Sequence, residues 1–371
     1  MKIGFICPAV SGHLNPMTAL ARHLQARNHE VVFLYSSSAN GLPYVPGDRD
    51  DDLNASRREI SKLEGDGAIA FYCGLAAKKT EMIFNSLPKM AETTGIEALI
   101  LDPIQFFVEL AAMKLRIPYI TEMIAKVESA GIKPNWEDPS SLFSDLPWIT
   151  QCPREFDFES SHRPRQFHYA GLFHDGKGRP ELNFPWDRLT GEPIVYASTG
   201  TIQNGNLDVF RTIAAAVAKK DAQLVISIGN VLRPEQIGPV PKNAILVNYA
   251  PQLELLKKAS VCITHAGFNT VLEALTQGVP EVAIPITNEQ PGVAARIAAH
   301  QTGVVASLEK QTVSHLSTLL DEVFNNLSIA INSRSIQKAI AKKNGLSVAA
   351  DLLEQAFGLT HNRIHEATSD A

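Results

Sequence analysis

Two stretches in which short apolar runs alternate with helical periodicity constrain this sequence more than anything else in it. In the first, strand-like runs at residues 2–7, 30–35, 98–101 and 118–121 are separated by helical patterns near 17–27, 78–94 and 104–115. In the second, runs at 193–198, 222–228, 244–248, 261–265 and 281–285 alternate with helical patterns near 207–219, 251–259, 270–277, 291–299, 310–325 and 346–357. Apolar runs of strand length, each followed by a helix, are what a parallel sheet covered on both faces requires. Two such series predict an α/β chain with two doubly wound parallel sheets. Between them, Phe173 to Asp187 is rich in Gly, Pro and charge and lacks periodicity, as a linker does. The expected division is a first domain at 1–175, a linker at 176–190, a second domain at 191–357 and a tail at 358–371; 371 residues suffice for two cores. The junctions at 35–39 and 121–125 leave little room for crossover helices, so unusual connections are expected there.

Open α/β sheets bind ligands at the carboxyl ends of their strands. His13 lies just beyond the first strand, in Gly12-His13-Leu14-Asn15-Pro16, where Asn15 reads as a helix N-cap and Pro16 as the first helical residue. Asp102 holds the equivalent place after the strand at 98–101. In isolation a histidine or aspartate at such a point also serves as a helix cap or turn former. The richest stretch is Thr264-His265-Ala266-Gly267-Phe268-Asn269-Thr270-Val271-Leu272-Glu273, which reads as strand end, glycine turn and helix start, with Gly278 closing the helix. Free amides and the positive end of a helix dipole then converge on one spot, which suits a diphosphate. Asn269, Thr270 and His265 add donors, and Glu273, one turn on, is placed to accept from ribose hydroxyls. Ser198-Thr199-Gly200-Thr201 forms a second loop of this kind. There is no GxxxxGK[ST], and the first strand-to-helix turn lacks GxGxxG, so P-loop and dinucleotide oxidoreductase sites are excluded.

A net charge of −5 gives no electrostatic case for nucleic acid, and no apolar run is long enough to span a membrane. The chain opens on strand-like residues with no leader pattern, and Cys7, Cys73, Cys152 and Cys262 have no CxxC spacing. A cytoplasmic protein with reduced thiols, no metal site and small-molecule partners is expected. The acidic run at 48–52 reads as a solvated loop. Phe71, Met82, Phe84, Phe106, Phe107 and Met123 are candidates for an acceptor pocket that serve equally well as core.

The block Tyr249-Ala250-Pro251-Gln252, HxGxNTxxE at 265–273, Gly278-Val279-Pro280 and Pro285 to Gln290 resembles the donor-binding signature of glycosyltransferase family 1, and Gly12-His13 with Pro16 matches that family's N-terminal loop. The pattern is similar to that of bacterial zeaxanthin and macrolide glucosyltransferases. The resemblance spans nearly the whole chain and implies a GT-B fold, with two facing Rossmann-like domains and an interdomain cleft, the first domain binding the acceptor and the second the nucleotide sugar. It implies that Tyr249 and Ala250 flank uracil, that Gln252 and Glu273 hold base or ribose, and that Ser11, Thr201, His265, Gly267, Asn269 and Thr270 bind the diphosphate. Glu289 and Gln290 would bind the sugar, though both residues also suit a helix cap before Pro291. His13 would be the general base and Asp102 its partner. The family usually has tryptophan at the position of Tyr249. The implied reaction is a metal-independent, inverting transfer of a hexose, glucose from UDP-glucose, to a hydroxyl of a small lipophilic acceptor, with the UDP-sugar as co-substrate and no cofactor. A nucleotide-sugar 2-epimerase and a silent sugar-nucleotide binder are the alternatives; the GHLNP loop argues against the first and the retained His13 and Asp102 against the second.

Overall fold

The computed structural model describes residues 1–8, 10–36, 39–46, 86–87, 89–102, 146–161, 163–200, 205–238, 240–308 and 312–359, with scattered positions between 59 and 74. The first sheet holds β1 (Lys2–Ile6), β2 (Glu30–Leu34), β3 (Tyr44–Val45) and β4 (Ala98–Leu101), all parallel, in the order β3-β2-β1-β4. A two-stranded parallel pair follows, β5 (Trp148–Thr150) and β6 (Phe167–Tyr169). The second sheet is parallel throughout, with β7 (Ile194–Ser198), β8 (Gln223–Ser227), β9 (Ile245–Val247), β10 (Ala259–Thr264), β11 (Glu281–Ala283) and β12 (Gly303–Val305) in the order β12-β11-β10-β7-β8-β9. Each sheet grows outward from its first strand in one direction, then returns to that strand's other side. The reversals fall between β1 and β4 and between β7 and β10, the topological switch points where such sheets open a crevice.

Strands β3, β5, β6 and β12 are unanticipated; at two or three residues each they are too short to show a pattern. The expected strand at 118–121, the helix at 104–115 and the junction at 121–125 lie outside the described residues, as do 37–38 of the other junction; of the pattern at 78–94, residues 86–87 and 89–94 are helical.

The helices are α1 (Ser11–Gln25), α2 (Leu207–Val217), α3 (Pro234–Ile237), α4 (Gln252–Leu256), α5 (Phe268–Thr276), α6 (Gln290–Ala299), α7 (Val313–Asn325), α8 (Leu327–Ala341) and α9 (Gly345–Ala356). In the second domain Val195, Leu224 and Ile263 face Phe210 and Ile213 of α2 and Leu316 and Leu320 of α7, while Tyr196, Val225 and Cys262 on the same strands face Leu255 and Leu256 of α4. Strands buried on both faces explain their unbroken apolar runs. The first core joins Ile3, Phe5 and Phe33 to Leu14, Leu20 and Leu24 of α1, with the Phe5 and Phe33 rings stacked 5.0 Å apart.

Two expectations need correction. First, α1 starts at Ser11, after an extended Val10 that provides no side-chain cap, so Asn15 is not the N-cap and Pro16 lies inside the helix. The Asn15 side chain instead accepts from Asn40 Nδ2 at 3.3 Å. Second, α9 falls in the span expected for the second domain but packs on the first: Leu346, Ala349, Ala350 and Leu353 join the core of Leu20 and Leu24, and Arg27 pairs with Asp351 and Glu354. Conversely, Cys152 and Phe156 pack with Val271, Leu272 and Ile336 of the second domain. An apolar stripe states that a helix needs a core, not which core, so this crossing is invisible in the periodicity. Cys7, Cys152 and Cys262 are buried and outside any disulfide, as expected.

Candidate functional site

Register places His13 and Asp102 together. Ile6 of β1 pairs with Leu101 of β4, so each strand ends at the same height, and the Asp102 amide donates to the Ile6 carbonyl at 2.9 Å. His13, the third residue of α1, turns its Nδ1 to Asp102 Oδ2 at 2.9 Å. The imidazole is about one-third exposed, at 31 %, whereas the Asp102 side chain is 9 % exposed. A buried carboxylate thus holds a partly exposed histidine. Ser11 opens the same helix and is exposed.

Pro16 has a consequence four residues upstream. Without an N–H it cannot bond the Gly12 carbonyl, the partner its position in α1 assigns to it. That carbonyl accepts from Asn269 Nδ2 of the second domain. The turn that carries Asn269 is therefore tied to the residue next to His13, and the two switch points face each other.

The second site repeats the logic of the first. Ser198 of β7 pairs with Thr264 of β10, and the chain leaves both strands at one level. Ala266 adopts φ +63°, uncommon for a residue with a Cβ, between the strand and α5. The α5 N-cap is Gly267, with no side-chain cap, so Asn269 and Thr270 sit in a first turn whose backbone amides lack helical partners. His265 is wedged between two glycines: a Cβ on Gly200, which has φ +80°, would lie 2.6 Å from its ring, and one on Gly267 2.5 Å. Burial pushes the His265 pKa down to about 4, so it presents a neutral ring to this site. Thr201 lies outside the described residues.

Behind the turn, Gln252 and Glu273 form one hydrogen-bonded group. Gln252 Nε2 donates to Glu273 Oε2 at 2.7 Å and to Thr270 Oγ1 at 3.4 Å, while Tyr196 Oη donates to Gln252 Oε1 at 2.9 Å. Tyr249, next to Ala250, is 40 % exposed. Glu273 also takes a guanidinium from Arg179, a linker residue that carries no sequence signal beyond its charge. Glu289 and Gln290 part company. Glu289 is exposed at the N-terminus of α6, whereas Gln290 is buried and its Oε1 accepts from the Ile286 amide at 2.8 Å and the Thr287 amide at 3.0 Å, which makes Gln290 a brace for the turn. Among the described residues no group of three or more His, Cys, Asp or Glu is arranged to hold a metal ion, and no helix is long and apolar enough to cross a membrane.

A family profile described as UDP-glucoronosyl and UDP-glucosyl transferase matches residues 149–338. Zeaxanthin glucosyltransferase of Pantoea ananas is 25 % identical over 418 residues, covering 95 % of each chain. The NDP-glycosyltransferase YjiC of Bacillus subtilis is 24 % identical over 376 residues, covering 92 % of this chain and 94 % of its own. Among solved structures, the calicheamicin glycosyltransferase CalG4 superposes with a TM-score of 0.73 at 19 % identity, covering 96 % of this chain and 98 % of its own, and VinC, solved in complex with dTDP, with 0.71 at 20 % identity, covering 96 % and 100 %. These likenesses establish the GT-B fold that the two facing sheets describe. The chain belongs to the UDP-glucoronosyl and UDP-glucosyl transferase family and is a nucleotide-sugar-dependent glycosyltransferase.

Proposed function

We propose that the chain transfers a hexose, glucose from UDP-glucose, with inversion, to a hydroxyl of a small lipophilic acceptor, with His13 as general base. The observation that carries this reading is the His13–Asp102 pair at the first switch point, next to the residue that Asn269 of the donor turn holds. A carboxylate on Nδ1 fixes the tautomer that leaves Nε2 as proton acceptor and stabilises the imidazolium once formed. Nε2 takes the acceptor's hydroxyl proton as that oxygen bonds to the anomeric carbon; the bond from this carbon to the phosphate oxygen breaks, and UDP leaves with the electron pair. Its negative charge is met by the first-turn amides and dipole of α5, with Asn269, Thr270 and the loops of Gly200 and Ser11 around it. No step calls on a metal. Tyr249 stacks on the base, Gln252 and Glu273 hold the ribose, and the exposed Glu289 addresses the sugar.

Relatives named for zeaxanthin and for the macrolide oleandomycin support a lipophilic acceptor, and VinC's dTDP makes the base worth testing alongside uracil. The comparisons do not favour a 2-epimerase or a silent binder. A cytoplasmic site of action is part of the same proposal. The test is mass spectrometry of reactions containing EDTA, with UDP-glucose or dTDP-glucose and a panel of hydroxylated lipophilic acceptors. Wild type should give a product heavier by one hexose, and His13→Ala should lower turnover by about 10² or more, the usual size of a general-base contribution, with UDP affinity kept. Unchanged turnover in that variant removes His13 as the base.

A further inference from the structure

The interdomain linker places a cation on the carboxylate assigned to the ribose. Arg179 Nη2 donates to Glu273 Oε1, and Nη1 lies 3.5 Å from Oε2, the oxygen that also takes the Gln252 amide. Both carboxylate oxygens are therefore engaged. The Glu273 side chain is 7 % exposed and that of Arg179 29 %, while Tyr196, behind Gln252, is buried. Of the ion pair, the guanidinium is the more exposed partner.

The arm that delivers Arg179 is fixed. Arg22 of α1 holds Asp175 through Nε at 2.6 Å and Nη2 at 3.0 Å, and Nη2 also reaches the Lys177 carbonyl at 3.2 Å. Gly178 follows with φ +74°, so close that a Cβ there would lie 2.6 Å from Arg22 Nη1. The backbone is thus clamped to the first domain up to the residue before Arg179, and the side chain alone reaches across to the second.

We infer that Arg179 is a displaceable plug on the donor site: nucleotide binding exchanges the Arg179–Glu273 ion pair for hydrogen bonds from the ribose 2′- and 3′-hydroxyls, so Arg179 sets donor affinity from the linker. The inference rests on the assignment of Glu273 to the ribose. It follows from chemistry on both sides of the exchange. A ribose diol offers two neighbouring donors to a carboxylate, as a guanidinium does, so the two compete for the same lone pairs. The guanidinium brings a charge, so the nucleotide-free state with Arg179 on Glu273 is correspondingly favoured.

Isothermal titration of UDP and of 2′,3′-dideoxy-UDP into wild type, R179A, R179M and the double variant R179M/E273Q tests this. Removing the guanidinium should tighten UDP binding about tenfold, the share of one charge-assisted hydrogen bond. The dideoxy nucleotide, which has no diol to take the vacated place, should bind R179A and R179M as it binds wild type. R179M keeps the aliphatic stem, so it carries the test should R179A fail to fold. With the plug already absent, adding E273Q to R179M should weaken UDP relative to R179M and leave the dideoxy nucleotide unaffected. UDP affinity unchanged or lowered in R179A and R179M relative to wild type, with R179M/E273Q weaker than R179M, overturns the plug and leaves the ribose assignment standing. Equal affinity of R179M/E273Q and R179M for UDP overturns the assignment itself, and the plug with it.

Discussion

Glu281 opens β11, between β10 and β12, with its side chain fully buried and neither carboxyl oxygen hydrogen-bonded among the described residues. Burial raises its pKa well above the usual 4.5, because ionising it there would leave an unpaired charge beside the buried Cys262. In the unfolded chain the same group ionises near 4.5. Between that pH and the native pKa the folded state therefore holds a proton that the unfolded state has released. Stability falls as pH rises through this window, by at most about 1.4 kcal/mol per unit. Glu281→Gln keeps the shape and removes the proton. Urea unfolding of wild type and variant at pH 5, 6 and 7 should show the variant gaining on wild type as pH rises, by at most about 1.4 kcal/mol per unit, with the slopes of other titrating groups cancelling in the difference. Glu281→Met also removes the unpaired oxygens, and should be more stable than Glu281→Gln at every pH by about 1–3 kcal/mol. A stability difference between Glu281→Gln and wild type that stays flat from pH 5 to pH 7 refutes the reasoning, since it means that the native carboxyl titrates as it does unfolded.

Two further outcomes follow from the packing. Gly200→Ala puts a Cβ at φ +80° and 2.6 Å from the His265 ring, so the loop and the donor turn must separate; UDP binding by titration calorimetry should weaken at least tenfold, and wild-type affinity would show that the two loops are not coupled. Leu353→Ala removes a side chain that α9 inserts into the first core, and should cost about 2–5 kcal/mol in the unfolding transition of the first domain; hydrogen exchange should quicken in β1 and β2 and not in β7 or β10, and the reverse pattern would place α9 with the second domain.

Local physics writes the parts of this protein that can be read along the chain. Strand runs and helical periodicity marked two parallel sheets, and the residues at 261–273 marked the strand, turn and helix start proposed to bind the donor, because each depends on neighbours within a turn or two. Even the error at α1 was local, since Asn-Pro does read as a helix start until Asn40 claims the Asn15 side chain and Pro16 leaves the Gly12 carbonyl for Asn269. Tertiary structure alone decided which of these pieces meet. His13 and Asp102 come from strands paired across a switch point, α9 chose the first core although it follows the second, and Arg179 crosses from a clamped linker to Glu273. Contacts between residues about 90 to 330 positions apart depend on strand order and domain placement, which no local pattern of side chains encodes.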